Sequence, residues 1–247
     1  MVSAVIAATL SKTTRMRKIL YVMALLPVLP LLSYVSSPFS GEKMSVSTPK
    51  KISMDYDEWR LSGTGLSKDA FDKGMKGYDY LMRQGMITND KVITIIDYSR
   101  PSTQKRLFVL DMNRGKILCN TLVAHGRNSG GVYATDFSNE EASNKSSLGF
   151  FITQNTYSGA NGYSLKLVGC EKGINDHAMN RAIVMHGAAY VSEAFIRNSG
   201  YLGRSLGCPA VPLSEHKKII DIIRNGSCLF LYYPAKKFYK GSKILDS

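Results

Sequence analysis

Apolar positions along this chain repeat with different periods, and each period predicts a different element. From Ser67, the stretch "SKDAFDKGMKGYDYLMRQG" puts Ala70, Phe71, Met75, Tyr78, Leu81 and Met82 at three- and four-residue spacing. That is one amphipathic helix, with Ser67 as N-cap and a break near Gly85. From Lys91 the period shortens. "KVITIID", "RLFVLDM" and "KILCNTLVAHG" are short β-branched runs, the last two joined through "NRG" as a tight hairpin. "LGFFITQNTY" and "YSLKLVGCE" flank a second hairpin signal, "SGANG", and "RAIVMHG" and "CLFLYYP" are further strands. "SEAFIRNSG" reads as a short helix. "LSEHKKIIDIIRNG" reads as another, with Ser214 as cap, Ile219, Ile220, Ile222 and Ile223 inward and Gly226 as the stop. Short strands with turn signals and a helix toward either end predict a mostly β domain, largely antiparallel.

The N-terminal pattern is different. Lys12, Arg15, Arg17 and Lys18 precede an apolar run from Ile19 to Val35 that contains Pro27 and Pro30 and leads into "SSPFS". A basic flank, a short apolar run and small residues are the signature of an export signal; an uncleaved anchor is the alternative. The expected organisation is therefore 1–37 signal peptide or anchor, 38–60 polar linker, 61–89 helical segment and 90–240 main β domain.

Charge changes the picture in one respect. The formal net charge is +13 over 247 residues, a balance that fits nucleic acid, a membrane surface or an anionic polymer. Export removes nucleic acid, leaving a solvated surface or attraction to wall or membrane, with Lys236, Lys237, Lys240 and Lys243 as the densest cluster. No glycine-rich phosphate loop is present, because "HGRNSGG" lacks the lysine and following helix. No HxxxD, HxH or HExxH spacing points to zinc, so neither metal nor cofactor is expected.

Of the four cysteines, Cys119, Cys170 and Cys228 lie in strand-like runs and read as buried filler or one disulfide. Cys208 is different, lying in "GRSLGCPAVP" among small and conformationally special residues. A thiol nucleophile needs a base within reach and donors for an oxyanion. His186, at the end of the strand "RAIVMHG", has enough intervening chain to return to Cys208, and Gly207 would let successive amides converge on one oxygen.

"IVMHGAAYV" followed by "GRSLGCPAVP" resembles the active-site segment of the YkuD-type murein L,D-transpeptidases, with its His-Gly and later Ser-x-Gly-Cys. The likeness extends through "TIIDYSRPSTQKRLFVLDMNRGKILCNTLVAHGRNSG", "SSLGFFIT", "NGYSLKL" and "NRAIVMHG", roughly Asp90 to Pro234. It implies a YkuD-like antiparallel β-sandwich or barrel with flanking helices over 90–240. It also implies an enzyme acting on peptidoglycan stem tetrapeptides: a Cys thioacyl-enzyme forms, D-Ala leaves, and an amine acceptor gives a 3→3 cross-link. By the same resemblance Cys208 is the nucleophile, His186 the base and the Gly187 carbonyl its orienter. The amides around Gly207 and Cys208 form the oxyanion hole, and Ser205 is the motif serine.

The sequence departs from many relatives outside its closer branch at Leu206, where they carry histidine, and at Ala210, where they carry arginine; the closer branch usually has an aromatic at the first position and the same Pro-Ala-Val after the cysteine. Arg204 is the candidate to replace that arginine at a substrate carboxylate, or else a solvated loop residue. His125, with Asn128 and Ser129, either lines the substrate groove or pairs with backbone; His177 and His216 read as surface residues. Two other readings stay open, an L,D-carboxypeptidase using the same site and a non-catalytic wall-binding protein. The expected partners are stem peptides, without nucleic acid, and with transient membrane association through the N-terminal segment. The expected location is periplasmic or otherwise extracytoplasmic.

Overall fold

The computed structural model describes residues 53–246; the predicted signal or anchor segment and most of the predicted linker lie outside them. Ser67 caps helix α1 (Lys68–Arg83), its hydroxyl accepting from the Ala70 amide at 3.3 Å. The apolar face of α1 lies on strands β1 (Val92–Asp97) and β8 (Cys228–Tyr232). Two glycines inside the helix make that approach possible. A Cβ at Gly74 would stand 2.8 Å from Ile95 Cδ1, and one at Gly77 would fall within the Phe150 ring, which stacks on Phe230 at 4.2 Å. Glycine weakens a helix interior by roughly 1 kcal/mol, offset here by close packing. Tyr56 and Trp59, in the stretch read as linker, are buried edge-on against Phe71.

The remaining strands are β2 (Leu107–Asp111), β3 (Lys116–Thr121), β4 (Gly149–Gly159), β5 (Gly162–Gly169), β6 (Val184–Ala188) and β7 (Ala210–Pro212). They form one eight-stranded sheet in the order β3-β2-β1-β8-β4-β5-β6-β7. Pairing is antiparallel except for β1 with β8 and β6 with β7. The ends of that order meet: the chain leaving β3 bridges to β7 at Ala124–Ala210, where the Ala124 amide reaches the Ala210 carbonyl at 2.8 Å, and to the preceding turn at Gly126–Ser205. These bridges bring the two ends of the sheet together in a mostly β domain with flanking helices, as expected. Strands β1, β2 and β8 are buried along their whole length, which explains their near-continuous apolar runs.

Helices α2 (Glu193–Ser199) and α3 (His216–Ile223) complete the regular elements. The predicted cap of α3 is corrected. Glu215, not Ser214, holds the N-cap position, and no side chain caps the helix. Ile219, Ile220 and Ile223 are buried, while Ile222 is half-buried. Among the described residues no helix is long and apolar enough to cross a membrane.

Candidate active site

The site forms where β6 and β7 run parallel. His186 pairs with Ala210, and the His186 amide reaches the Pro209 carbonyl at 3.4 Å. This register brings the turn before β7, which carries Cys208, alongside the residues that lead into β6. The Val184 amide donates to Cys208 Sγ at 3.5 Å, and the thiol points to the Ala182 carbonyl at 3.7 Å. Burial pushes the Cys208 thiol above its ordinary pKa, while the Val184 amide and the charge of Arg181 pull the other way.

His186 is buried, with Nδ1 3.1 Å from the Gly187 carbonyl. A carbonyl only accepts, so Nδ1 carries the proton and Nε2 is left unprotonated. Burial, opposed by that bond and reinforced by His216, pulls the His186 pKa below its usual value. The imidazole is therefore neutral at neutral pH. Among the described residues no hydrogen bond joins Cys208 to His186; the thiol is engaged with the backbone of 182–184.

Ser205 organises the turn. Its hydroxyl donates to the Cys208 carbonyl at 2.6 Å and accepts the Gly207 amide at 3.1 Å. This corrects one expectation: the Gly207 N–H is engaged and is not a free oxyanion donor. Among the described residues the Cys208 N–H has no acceptor but its own sulfur, so that amide is the available one. Glycine is required at 207 because φ is +126° and a Cβ would stand 2.8 Å from the Lys145 carbonyl.

The expected groove residues divide into two pairs. His125 and Ser129 are fully buried, which corrects their assignment as groove lining. His125 has Nδ1 2.8 Å from Arg106 Nη2 and Nε2 3.3 Å from the Gly130 carbonyl; Ser129 Oγ accepts the Ser146 amide at 2.8 Å. Asn128 is exposed and reaches the Ser143 carbonyl at 2.9 Å. Arg204 is also exposed, donating to the Gly130 carbonyl at 3.1 Å with its guanidinium over the Tyr201 ring at 5.2 Å.

One residue, Arg181, was overlooked in the sequence. Arg181 binds the Ser138 carbonyl and Ser147 Oγ at 2.6 Å, the Lys145 carbonyl at 2.5 Å and Ser143 Oγ at 3.2 Å. It fastens residues 138–147 beside Gly207 and is a positive charge acting on the thiol. Its place directly before the strand of His186 was the available signal. His216, read as a surface residue, is half-buried and approaches the site. A Cβ on Gly187 would stand 2.7 Å from His216 Cγ, and His216 Nδ1 donates to the Leu213 carbonyl at 2.8 Å. His177 is exposed, as expected. All four cysteines are free thiols. Among the described residues no three His, Cys, Asp or Glu side chains gather to hold a metal.

A β domain with a cysteine on the turn before β7 and a backbone-oriented histidine on β6 carries the two groups that a thiol acyl-transfer site requires. The chain belongs to the YkuD_2 family of L,D-transpeptidase catalytic domains, whose pattern it matches over residues 62–232. Among solved structures it is similar to an L,D-transpeptidase from Mycobacterium smegmatis, at 12% identity and TM-score 0.36 over 58% of this chain and 59% of that one. It is also similar to the helical cell shape determining protein Pgp2 (K307A mutant) from Campylobacter jejuni, at 12% identity and TM-score 0.41 over 70% of this chain and 61% of that one. A third is an L,D-transpeptidase from Mycobacterium tuberculosis H37Rv, at 10% identity and TM-score 0.38 over 58% of each chain. The chain thus spans about three-fifths of the length of these structures. Comparison with curated proteins gives no match. The family match carries the assignment.

Proposed function

We propose that the protein is an exported cysteine acyltransferase that acts on peptidoglycan stem tetrapeptides and forms 3→3 cross-links. The observation that supports this reading is the oriented imidazole on the strand that pairs with the one following the thiol-bearing turn: His186 Nδ1 lies 3.1 Å from the Gly187 carbonyl, and His186 is in register with Ala210, two residues after Cys208.

In this mechanism Nε2 takes the thiol proton, and the thiolate attacks the carbonyl between the diamino acid L-centre and the terminal D-alanine. The oxyanion accepts from the Cys208 amide. Collapse breaks the C–N bond, His186 returns the proton to the departing D-alanine amine, and a thioester remains. The side-chain amine of a second diamino acid then attacks, gives its proton to His186 and expels the thiolate. Water in place of that amine would give a carboxypeptidase. Burial raises the thiol's pKa, so the base is needed to generate the thiolate near neutral pH. Arg204 supplies a cation for a donor carboxylate.

The basic, apolar N-terminus supports export and transient membrane association, with action outside the inner membrane. Lys73, Lys236, Lys237 and Lys240 line a surface groove of about 590 Å³ that suits an anionic surface.

Intact-mass measurement of the protein mixed with a disaccharide-tetrapeptide tests the reading. An adduct equal to the donor less D-alanine, absent in Cys208→Ala, with a dimeric product on chromatography, is expected. A tripeptide product alone would replace the transpeptidase by the carboxypeptidase. No adduct in folded protein with a free thiol would remove the reaction and favour a wall-binding role.

A further inference from the structure

Arg106 heads the fully buried side chains by size; among the described residues no carboxylate forms a salt bridge with it, and Asp97 acts on it only through its charge. A buried charge without a directly bonded counter-ion is expensive, and it is tolerated only where its hydrogen bonds are met. Here Nε and Nη2 donate to the Val123 carbonyl at 3.1 and 2.9 Å, and Nη1 to the Arg100 carbonyl at 2.9 Å. The guanidinium lies over Tyr98 at 4.9 Å from the ring centroid. The remaining bond runs from Nη2 to His125 Nδ1 at 2.8 Å.

That bond has a chemical consequence. Arginine has no acceptor, so His125 Nδ1 must be bare and the imidazole carries its proton on Nε2. Nε2 then donates to the Gly130 carbonyl at 3.3 Å, the same oxygen that Arg204 Nη1 reaches at 3.1 Å. The backbone of His125 meanwhile accepts the Ser205 amide at 3.0 Å, and Ser205 ties the turn of Cys208. The imidazole therefore connects the core cation with the Gly130 carbonyl that Arg204 also reaches, and the backbone of the same residue meets the turn of Cys208.

We propose that Arg106 and His125 are positioning residues: Arg106 fixes the tautomer and orientation of His125, and His125 holds the Gly130 loop and Arg204 in place as the donor-side wall beside Cys208. The consequence for the reaction rests on Cys208 being the nucleophile; the coupling itself does not. Protonating His125 would put an N–H against Arg106, with Arg204 and the buried Tyr98 ring as its other charged or titratable neighbours. The ring resists that change, since burial and Arg106 lower its pKa to about 4.

The test uses the full chain. Histidine ring-nitrogen NMR of the wild type should show His125 with bare Nδ1 and protonated Nε2 from pH 8 to 5. Arg106→Lys, which keeps charge but loses the planar fork, should mix the tautomers and shift the Gly130 and Ser205 amides. With the tetrapeptide donor, Arg106→Lys and His125→Leu should raise KM by about tenfold or more, while His125→Gln, which keeps a donor for Gly130, recovers part of the loss. Alkylation of Cys208 by iodoacetamide, which needs no donor wall, should change much less. Protonated Nδ1 in the wild type, or His125 signals indifferent to Arg106→Lys, would overturn the coupling. Wild-type KM in a folded His125→Leu would overturn its role at the wall. The expected NMR result in a chain that turns over no tetrapeptide would support the coupling and remove only the proposed reaction.

Discussion

Ser205→Ala probes the turn on which the site depends. The hydroxyl is nearly buried and serves two backbone groups, the Cys208 carbonyl and the Gly207 amide. Each bond contributes about 0.5–1.5 kcal/mol net, so losing both costs about 1–3 kcal/mol. Leaving a buried N–H and C=O without partners moves the loss toward the upper end. The loss falls on the segment that sets the Cys208 amide and sulfur. If about 2–3 kcal/mol is lost from the catalytic geometry, acylation slows by about 30- to 150-fold. Urea unfolding read with single-turnover thioacylation checks both quantities. Glycine at 207 should also relax once its amide is released, so pre-steady-state acylation should be more affected than substrate binding. A folded Ser205→Ala with unchanged midpoint and acylation within about twofold of wild type would refute the argument that this hydroxyl builds the turn.

Other outcomes follow from the same geometry. His186→Gln should slow Cys208 alkylation near pH 7 by about 100-fold or more, because the buried thiol then lacks its base; profiles against pH check this. Arg181→Met should move the alkylation midpoint to higher pH, since the charge that lowers the Cys208 pKa is removed, while Arg181→Lys keeps part of that effect and loses the fork. His125 should make stability pH-dependent. Its folded pKa is about 4 against about 6.5 unfolded, so its neutral form favours folding above pH 6.5, and stability falls by roughly 3 kcal/mol as pH drops toward 4. Urea titrations of wild type and His125→Gln should differ in that slope. Gly77→Ala should destabilise by about 1–3 kcal/mol despite its better helix propensity, because its methyl meets Phe150; thermal unfolding decides.

Much of the local structure was legible because it depends on short-range pattern. The Ser67 cap, the spacing of Ala70 to Leu81 and the two hairpins each express a period or turn that needs only neighbouring residues. Cys208 and His186 were legible as chemistry for the same reason: a cysteine in a glycine- and proline-flanked turn and a histidine before glycine are local statements. The short strand β7 was not, since three residues beginning right after a proline show no alternation and pair only because β6 lies beside them.

By itself the sequence determined most of the helices and strands, β7 excepted, and the family, and it singled out Cys208 and His186 as candidates, since these follow from residue type and near-neighbour spacing. Only the tertiary structure decided which groups meet. It engaged the Gly207 amide with Ser205, buried His125 against Arg106, and brought His216 from α3 to the face of Gly187. These are pairings between segments far apart in the chain, set by sheet register and the meeting of the sheet's two ends. No local pattern records which far residue will take a buried donor's proton, because that is settled by the packing that desolvates both partners.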